Sequence, residues 1–314
     1  MKKTLCFIII SIFLSVNLSR SLYGAFEDVG WGVRPLGMGA AFTAVSDDAN
    51  APLYNPAGIA QVEKREVTFM SSRLFTGLDG VEIGLNYFSY VQPLNKKYGA
   101  VSLSWASLYA PALYREDTAV LNYARSLNDI FKSKYFELMA GVSAKYLRHE
   151  YSLDQRTIDD PVFASGSSKA AMTCDAGLLL SFQKTGITLG YASRNMTSPD
   201  VGLKTQDIVT IENAAGVSYY TDKLPILGLP FFTVDIDAIN SGSETDYRFG
   251  AETWLLKGKF PLRAGARKEE ITAGTGYEFS IGGGAKLVLD YSFAWPLEVE
   301  QTMGSHRLGI TVKF

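Results

Sequence analysis

The sequence predicts an all-β protein: a transmembrane antiparallel β-barrel of about 14 strands, preceded by an N-terminal segment that folds inside it as a hatch. Apolar and polar residues alternate with a period of two in many segments after residue 65, and the chain ends on the aromatic Phe314. No apolar run in this part reaches the roughly 20 residues that a membrane-spanning helix needs. An alternating strand has one apolar and one polar face, as a barrel wall between lipid and water requires.

The first 24 residues have the order of a secretory signal peptide. Lys2 and Lys3 precede an apolar run at 5–14, and small residues follow at Gly24 and Ala25. An uncleaved N-terminal anchor is the alternative. Loss of the leader would make the chain more acidic than its formal charge of −2, so we expect no nucleic-acid partner. Only Cys174 would remain, which excludes an internal disulfide.

Fourteen segments after the leader are predicted to be strands. Their approximate bounds are 65–75, 80–93, 97–109, 113–126, 134–152, 169–183, 186–195, 207–221, 229–240, 244–256, 260–268, 271–281, 285–296 and 304–314. With an even count both chain ends face the periplasm, so odd-numbered connections face outward. The long connections at 153–168, 195–206 and 296–303 fall on the outer side, and the tight ones at 184–186 and 282–284 on the periplasmic side. The connection at 221–229 is long for a periplasmic turn.

The alternation also assigns residues to the two faces of the wall. In the last strand Leu308, Ile310 and Val312 share the apolar face with Phe314. Cys174 is a small residue on another apolar face. A soluble sandwich also alternates, but aromatics near strand ends suit the two membrane interfaces; these are Tyr87, Tyr90, Trp105, Tyr146, Tyr219, Trp254 and Trp295. The candidate lumen charges are Asp235, Asp237, Arg248, Glu252, Arg263, Arg267, Asp290 and Arg307.

The predicted hatch, residues 25–64, contains the stretch RPLGMGAAFTAVSDDANAPLYNPAGIA at 34–60. Gly37 and Gly39 allow the backbone to approach a barrel wall closely. Asp47 and Asp48 are expected to pair with some of the inward arginines Arg248, Arg263, Arg267 and Arg307, since a carboxylate there needs a partner or water. A solvated N-terminal extension is the alternative.

The same stretch, continued to Glu63, resembles the N-terminal motif of the superfamily that contains the FadL family of outer-membrane long-chain fatty acid transporters and the PorV/PorQ family. Arg34, the Gly-x-Gly-Ala run from Gly37, the acidic pair Asp47 and Asp48, and Asn55-Pro56-Ala57-Gly58 carry the resemblance. The resemblance implies a hatch inside a 14-stranded barrel in the bacterial outer membrane. It also implies outer-membrane lipids as neighbours, and a barrel assembly machinery that reads the terminal Phe314.

The resemblance leaves two functions open. The first is passive transport of small hydrophobic, fatty acid-like compounds. The second is a PorV/PorQ-like role in a type IX-type protein secretion or surface attachment system, with secretion-system proteins as partners. The chain is short and its outer loops are modest, which counts against high-affinity fatty acid uptake and brings the second branch closer. We favour the passive channel, because the N-terminal motif resembles that of transporters in which a plug blocks the path of water. A transporter needs an apolar path, whereas a secretion component needs an exposed docking surface.

Catalysis is not expected from this sequence. His149 and His306 are its only histidines, and both fall near outer strand ends. Ser305 and His306 are adjacent in a strand, so their side chains point to opposite faces. No Cys/His metal spacing or phosphate-binding glycine loop occurs. We therefore expect no catalytic residue, no metal and no cofactor.

Overall fold

The chain forms a closed barrel of fourteen antiparallel strands in which every strand pairs with its sequence neighbours and β1 pairs with β14. The computed structural model describes residues 24–314 except 79, 81, 96, 156, 225–229 and 243; the predicted signal peptide lies almost wholly outside them. The strands are β1 (Glu66–Leu74), β2 (Ile83–Asn95), β3 (Gly99–Ala110), β4 (Tyr114–Ser126), β5 (Glu137–Tyr151), β6 (Ser168–Phe182), β7 (Ile187–Arg194), β8 (Glu212–Lys223), β9 (Pro230–Ser241), β10 (Glu244–Trp254), β11 (Phe260–Arg267), β12 (Glu270–Gly282), β13 (Ala285–Pro296) and β14 (Ser305–Lys313).

The helical elements among the described residues are short. The α-helices are α1 (Val33–Gly37), α2 (Asn128–Phe131) and α3 (Leu255–Gly258), and the 3₁₀-helices are η1 (Ala51–Leu53), η2 (Pro56–Gln61) and η3 (Pro161–Phe163). No helix among the described residues is long and apolar enough to cross a membrane.

The predicted barrel and its strand count are confirmed. Closure gives each strand two hydrogen-bonded neighbours, so backbone groups are satisfied without water. At the seam Met70 of β1 lies opposite Gly309 of β14 and, on the other side, opposite Tyr87 of β2. The largest boundary difference is at β8, which begins at Glu212 and not near 207. Before β8 the chain forms a loop in which the backbone N–H of Asp207 donates a hydrogen bond to Asp200 Oδ1.

The predicted alternation of faces is also present. Apolar side chains on the outer face are widely exposed, for example Leu121 at 61%, Met172 at 68% and Leu308 at 66%, which fits a lipid-facing wall. Cys174 lies on this outer face. Two of the predicted interface aromatics are exceptions: Tyr87 is fully buried in the lumen, where its hydroxyl donates to the carbonyl of Ala49 at 2.9 Å, and the Trp254 ring lies under the Arg263 guanidinium.

Residues 24–64, here called the hatch, run through the lumen. α1 packs against β11 to β14, and η2 packs against β3 to β6. Several inward-facing wall glycines lie directly against the hatch, where an added Cβ would meet its atoms. This glycine belt consists of Gly141, Gly177, Gly190, Gly216, Gly250, Gly265, Gly274 and Gly309. Because the belt has no side chains, the hatch backbone rests on the backbone of the wall.

Phe314 closes the barrel seam at the end where the chain terminates. Its backbone exchanges two hydrogen bonds with Arg65, at 3.1 and 2.9 Å, and about half of the residue is exposed. Its role as an assembly signal remains a prediction. We expect deletion of Phe314 to reduce the fraction of protein that shows heat-modifiable migration in gel electrophoresis, while Phe314→Tyr, which keeps a terminal aromatic, retains it. Equal assembly of the deletion variant would contradict this role.

Candidate functional site

Two carboxylates of β9 anchor the middle of the hatch. The Oδ2 atom of Asp237 accepts hydrogen bonds from the backbone N–H groups of Phe42 and Thr43, both at 2.8 Å. Asp235 Oδ2 accepts those of Ala44 and Val45 at 3.3 and 3.1 Å. Both side chains alternate onto the same inner face of the strand and are fully buried. The hatch turn therefore obtains its hydrogen bonds from the wall, and the two acids do not line an open channel.

Arg34 is the centre of a second anchor. Its Nη1 contacts Asp47 and Asp48, and its Nε and Nη2 donate to the two oxygens of Glu252 on β10 at 3.0 and 2.9 Å. The predicted pairing of Asp47 and Asp48 with wall arginines is wrong. Arg34 lies in the same segment and folds back onto both acids, while Arg248, Arg263 and Arg267 contact other carboxylates.

The charge of Arg34 sets the ionisation of Asp48. Burial alone would raise the pKa of this carboxyl, but the nearby Arg34 and Lys313 outweigh burial and hold the pKa below its ordinary value. Asp47 is 44% exposed in its side chain, so its ion pair is the weaker of the two.

Asp28 forms a third anchor. Its Oδ2 accepts from Arg248 at 2.9 Å and Arg194 at 3.2 Å. Burial opposes ionisation of Asp28, yet these arginines and Arg267 hold its pKa well below the ordinary range. Neither Asp28 nor Arg194 is a predicted site residue. A lone Asp in a Gly- and aromatic-rich stretch carries no signal of its own, and Arg194 is the last residue of a short strand.

The remaining predicted lumen charges all face inward. Arg263 bridges Glu252 and Asp290, each at 2.6 Å, and Arg267 contacts Glu270 at 3.1 Å. Arg307 is 2% exposed, and its Nε and Nη1 have no hydrogen-bond partner among the described residues.

The predicted turn residues join the hatch to the wall on the opposite side. Asn55 caps η2 by accepting from Ala57 at 3.1 Å, and its Nδ2 donates to the carbonyls of Thr43 and Leu178 at 2.9 and 3.1 Å. The carbonyl of Pro56 accepts from Asn122 at 3.2 Å. Gly39 has φ of +64° and packs on Ala266. Gly37 packs on Gly274.

Above the hatch lies a cavity of about 720 Å³, here called the vestibule. It opens at the end of the odd-numbered connections, which the sequence predicts to be the outer end. Its apolar wall comes from β1 to β3 and the adjoining loop and contains Leu74, Phe75, Ile83 and Leu108. Its charged wall comes from β8 to β12 and β14. The apolar wall continues downward into the buried cluster around Leu85, Tyr87 and Val120, against which the hatch packs.

The two histidines do not meet. His149 is buried, and its Nε2 lies 2.7 Å from the carbonyl oxygen of Val201. His306 faces outward, with its Nδ1 2.7 Å from the Tyr291 hydroxyl, while Ser305 faces inward. Within the described part of the chain, no cluster of His, Cys, Asp and Glu has the arrangement of a metal site.

Glu27 makes the first residues of the hatch sensitive to pH. Partial burial, and then the charges of Glu269, Glu212 and Glu116, raise the pKa of Glu27 to about 7. This pKa is higher than the pKa of Glu27 in the unfolded chain, about 4.5. Protonation of Glu27 therefore stabilises the folded state fully below about pH 4.5, and this stabilisation is lost as pH rises through about 7. The test compares hydrogen exchange of the backbone amides of residues 26–31 in the unaltered protein and in Glu27→Gln. The exchange rate in the unaltered protein, divided by the rate in the variant, should be lower at pH 5 than at pH 8. A constant ratio across this range would contradict the shift.

Comparison with known proteins establishes the fold. The barrel is similar to the toluene transporter TbuX of Ralstonia pickettii, with 11% identity, a TM-score of 0.55, and 92% of this chain and 98% of that chain covered. It is similar to the toluene transporter TodX of Pseudomonas putida, with 12% identity, a TM-score of 0.52, and 93% and 99% covered. It is also similar to a Pseudomonas aeruginosa FadL homologue, with 14% identity, a TM-score of 0.51, and 90% and 97% covered. No family model and no curated protein matches the sequence.

The chain shares the FadL-type barrel fold with outer-membrane proteins and is itself an outer-membrane β-barrel. At these identities the likeness concerns the fold.

Proposed function

We propose that the chain is a passive outer-membrane channel for small hydrophobic compounds. The observation that carries this proposal is the continuous apolar wall of the lumen. It begins at the mouth with Phe75 and Ile83, passes Leu74 and Leu108, and reaches the buried cluster at Leu85. A hydrophobic solute gains free energy along such a wall, because each buried Å² of apolar surface contributes about 25 cal/mol.

The solved barrels of the same fold support the proposal, since two of them are described as toluene transporters. Fatty acid-like solutes are included in the proposed class because the N-terminal motif resembles that of the long-chain fatty acid transporters. The hatch would exclude water and ions while a hydrophobic solute passes beside it.

The test is uptake of a radiolabelled aromatic hydrocarbon into proteoliposomes. Leu108→Gln places an amide in the apolar wall at nearly constant size. A hydrophobic solute that passes this amide displaces its water without offering a hydrogen bond, which costs about 1–3 kcal/mol. We expect roughly tenfold slower uptake. Leu153→Gln, the same change in an exposed outer loop, should leave uptake unchanged. Uptake by the unaltered protein no faster than by empty liposomes would contradict the channel.

A second candidate function is a secretion or surface-attachment component. The observation that favours it is the close packing of the hatch in the lumen. Its residues Leu36, Met38 and Phe42 are fully buried, and its backbone contacts the glycine belt. Such a barrel need not conduct anything. Native mass spectrometry of the protein extracted from its own membrane separates the two functions: a bound lipid or hydrocarbon supports transport, whereas stoichiometric protein subunits support the second candidate.

A further inference from the structure

The first residues of the hatch lie against two carboxylates at the vestibule end of the barrel. The backbone nitrogen of Ala25 lies 3.4 Å from Oδ1 of Asp207, in the loop before β8, and the N–H of Phe26 donates to Oε1 of Glu116 on β4 at 3.1 Å. Within the described residues the carboxylate of Asp207 accepts no other hydrogen bond, and neither acid forms an ion pair with a lysine or arginine. Two carboxylates therefore meet the start of the hatch without a strong cation to balance them.

The predicted signal peptide ends at residue 24, so its removal places a new chemical group at this point. Hydrolysis of the Gly24–Ala25 peptide bond by a signal peptidase consumes one water molecule, leaves a carboxylate on the leader and turns the Ala25 nitrogen into an α-amine. The amine takes up a proton near neutral pH, since its ordinary pKa is about 8. An exported chain that begins at Ala25 therefore carries a positive charge beside Asp207.

The observed geometry suits an ammonium group better than an amide. A separation of 3.4 Å is long for a hydrogen bond from an amide N–H, which is usually about 2.9–3.0 Å, but it lies within the roughly 4 Å of an ion pair. Ala25 and Phe26 also pack on the apolar cluster of Leu147, Val201 and Val209, so water screens a charge there only in part. The lining of the vestibule contains more acids than cations, and one more positive charge reduces the repulsion among those acids.

We propose that removal of the signal peptide completes the hatch, because the new α-ammonium group of Ala25 forms an ion pair with Asp207 while Glu116 holds the adjacent N–H of Phe26. These contacts are here called the N-terminal latch. Residues 24–29 form part of the vestibule lining, so the latch fixes one wall of this cavity. The inference goes beyond the proposed function and is independent of what the lumen conducts.

The latch and an uncleaved N-terminal anchor exclude each other. Asp207 lies at the end of the barrel opposite to Arg65 and Phe314, which close the seam on the side predicted to be periplasmic. An anchor kept in the inner membrane would hold Ala25 on that periplasmic side, far from Asp207. The position of Ala25 at the vestibule therefore favours a cleaved leader over the anchor.

The experiment determines where the chain starts and then titrates its α-amine. The start of the protein extracted from its own outer membrane is read by mass spectrometry, and we expect Ala25. The amine is converted to a ¹³C-labelled dimethylamine, which keeps its charge, and its pKa is followed by NMR. Lysine side chains are labelled by the same reaction but titrate near about 10.4. We expect the pKa of the Ala25 amine to lie about one unit above its ordinary value of about 8.

Other titratable side chains surround this point, so the pKa is compared between variants in which they are unchanged. They are Tyr114 on β4, His149 and Tyr151 on β5, and Glu27 of the hatch.

Asp207→Asn should return the pKa of the amine close to its ordinary value. Asp159→Asn, the same change at an exposed position in the loop before β6, should leave the pKa raised. Insertion of two serines between Gly24 and Ala25 keeps both acids and moves the amine away from them, so it should also give an ordinary pKa. This insertion serves if Asp207→Asn does not fold.

A chain that retains its leader, or that starts at any residue other than Ala25, would overturn the inference. An amine with an ordinary pKa in the unaltered protein would do the same. A raised pKa that persists in Asp207→Asn would show that Asp207 is not the partner. None of these results bears on the uptake of hydrocarbons, so the proposed channel stands or fails by its own test.

Discussion

Gly265→Leu should detach the hatch from the barrel wall while leaving the barrel itself assembled. A Cβ at Gly265 would overlap the backbone nitrogen of Gly39 and the carbonyl carbon of Met38. Backbone atoms cannot rotate away as a side chain can, so the whole hatch turn must move. Overpacking of this kind costs about 1–3 kcal/mol even where neighbouring side chains can adjust. We expect a large rise in ion conductance in planar bilayers and new protease cleavage within residues 36–42.

Ala264→Leu is the matched control, because Ala264 is the preceding outward-facing residue of the same strand. Its added side chain enters lipid and should change neither conductance nor cleavage. Heat-modifiable migration should be retained in both variants, since the strand ladder does not depend on the hatch. A Gly265→Leu barrel that conducts no more than the unaltered protein would show that the hatch is held by its ion pairs and not by close backbone contact.

The barrel is predictable from the sequence because the signal is local. A period of two over a single strand shows which residues face lipid, and inward positions such as Arg248, Glu252 and Arg263 follow without knowledge of any other strand. Strand ends are harder, because a loop can hold the chain near the wall without joining the ladder. Asp207 illustrates this: it alternates like a strand residue, yet its backbone bonds to Asp200 within the loop before β8.

The partners of the lumen charges are not predictable in this way. They depend on where the hatch crosses the lumen, which no single segment encodes. Asp48 therefore meets Arg34 of its own segment and no wall arginine, while the wall arginines Arg194 and Arg248 meet Asp28. The glycine belt is visible in the sequence as glycines on polar faces, such as Gly141 and Gly177. Their common purpose becomes apparent only when the hatch is seen to rest on them.

Arg34→Met should destabilise the hatch more than any other single loss of charge. The substitution leaves Asp47 and Asp48 adjacent to each other without a cation, and leaves Glu252 with Arg263 alone. Removing one partner of a buried ion pair costs about 3–5 kcal/mol, since the remaining charge stays in a poorly solvated site. We expect proteolysis of the hatch at a clearly lower denaturant concentration than in the unaltered protein, with barrel unfolding nearly unchanged. Arg34→Lys keeps the charge but loses the bidentate contact to Glu252. The denaturant concentration at which its hatch is cleaved should lie between the values for the unaltered protein and for Arg34→Met.

The pH dependence of this destabilisation shows whether it arises from unpaired buried carboxylates or from lost side-chain packing. In the unaltered protein Arg34 holds the pKa of Asp48 below its ordinary value, so this contribution to stability is present above about pH 4 and is lost as pH falls through the lowered pKa. The difference between the unaltered protein and Arg34→Met should therefore be largest near neutral pH and shrink in acid, where the stranded carboxylates become protonated. Adding Glu252→Gln to Arg34→Met should recover part of the loss at neutral pH, because it removes one of the carboxylates that faced Arg34. If the difference were the same at pH 3.5 and pH 7, the role of Arg34 would be to fill space, and the ion pairs would contribute little to holding the hatch.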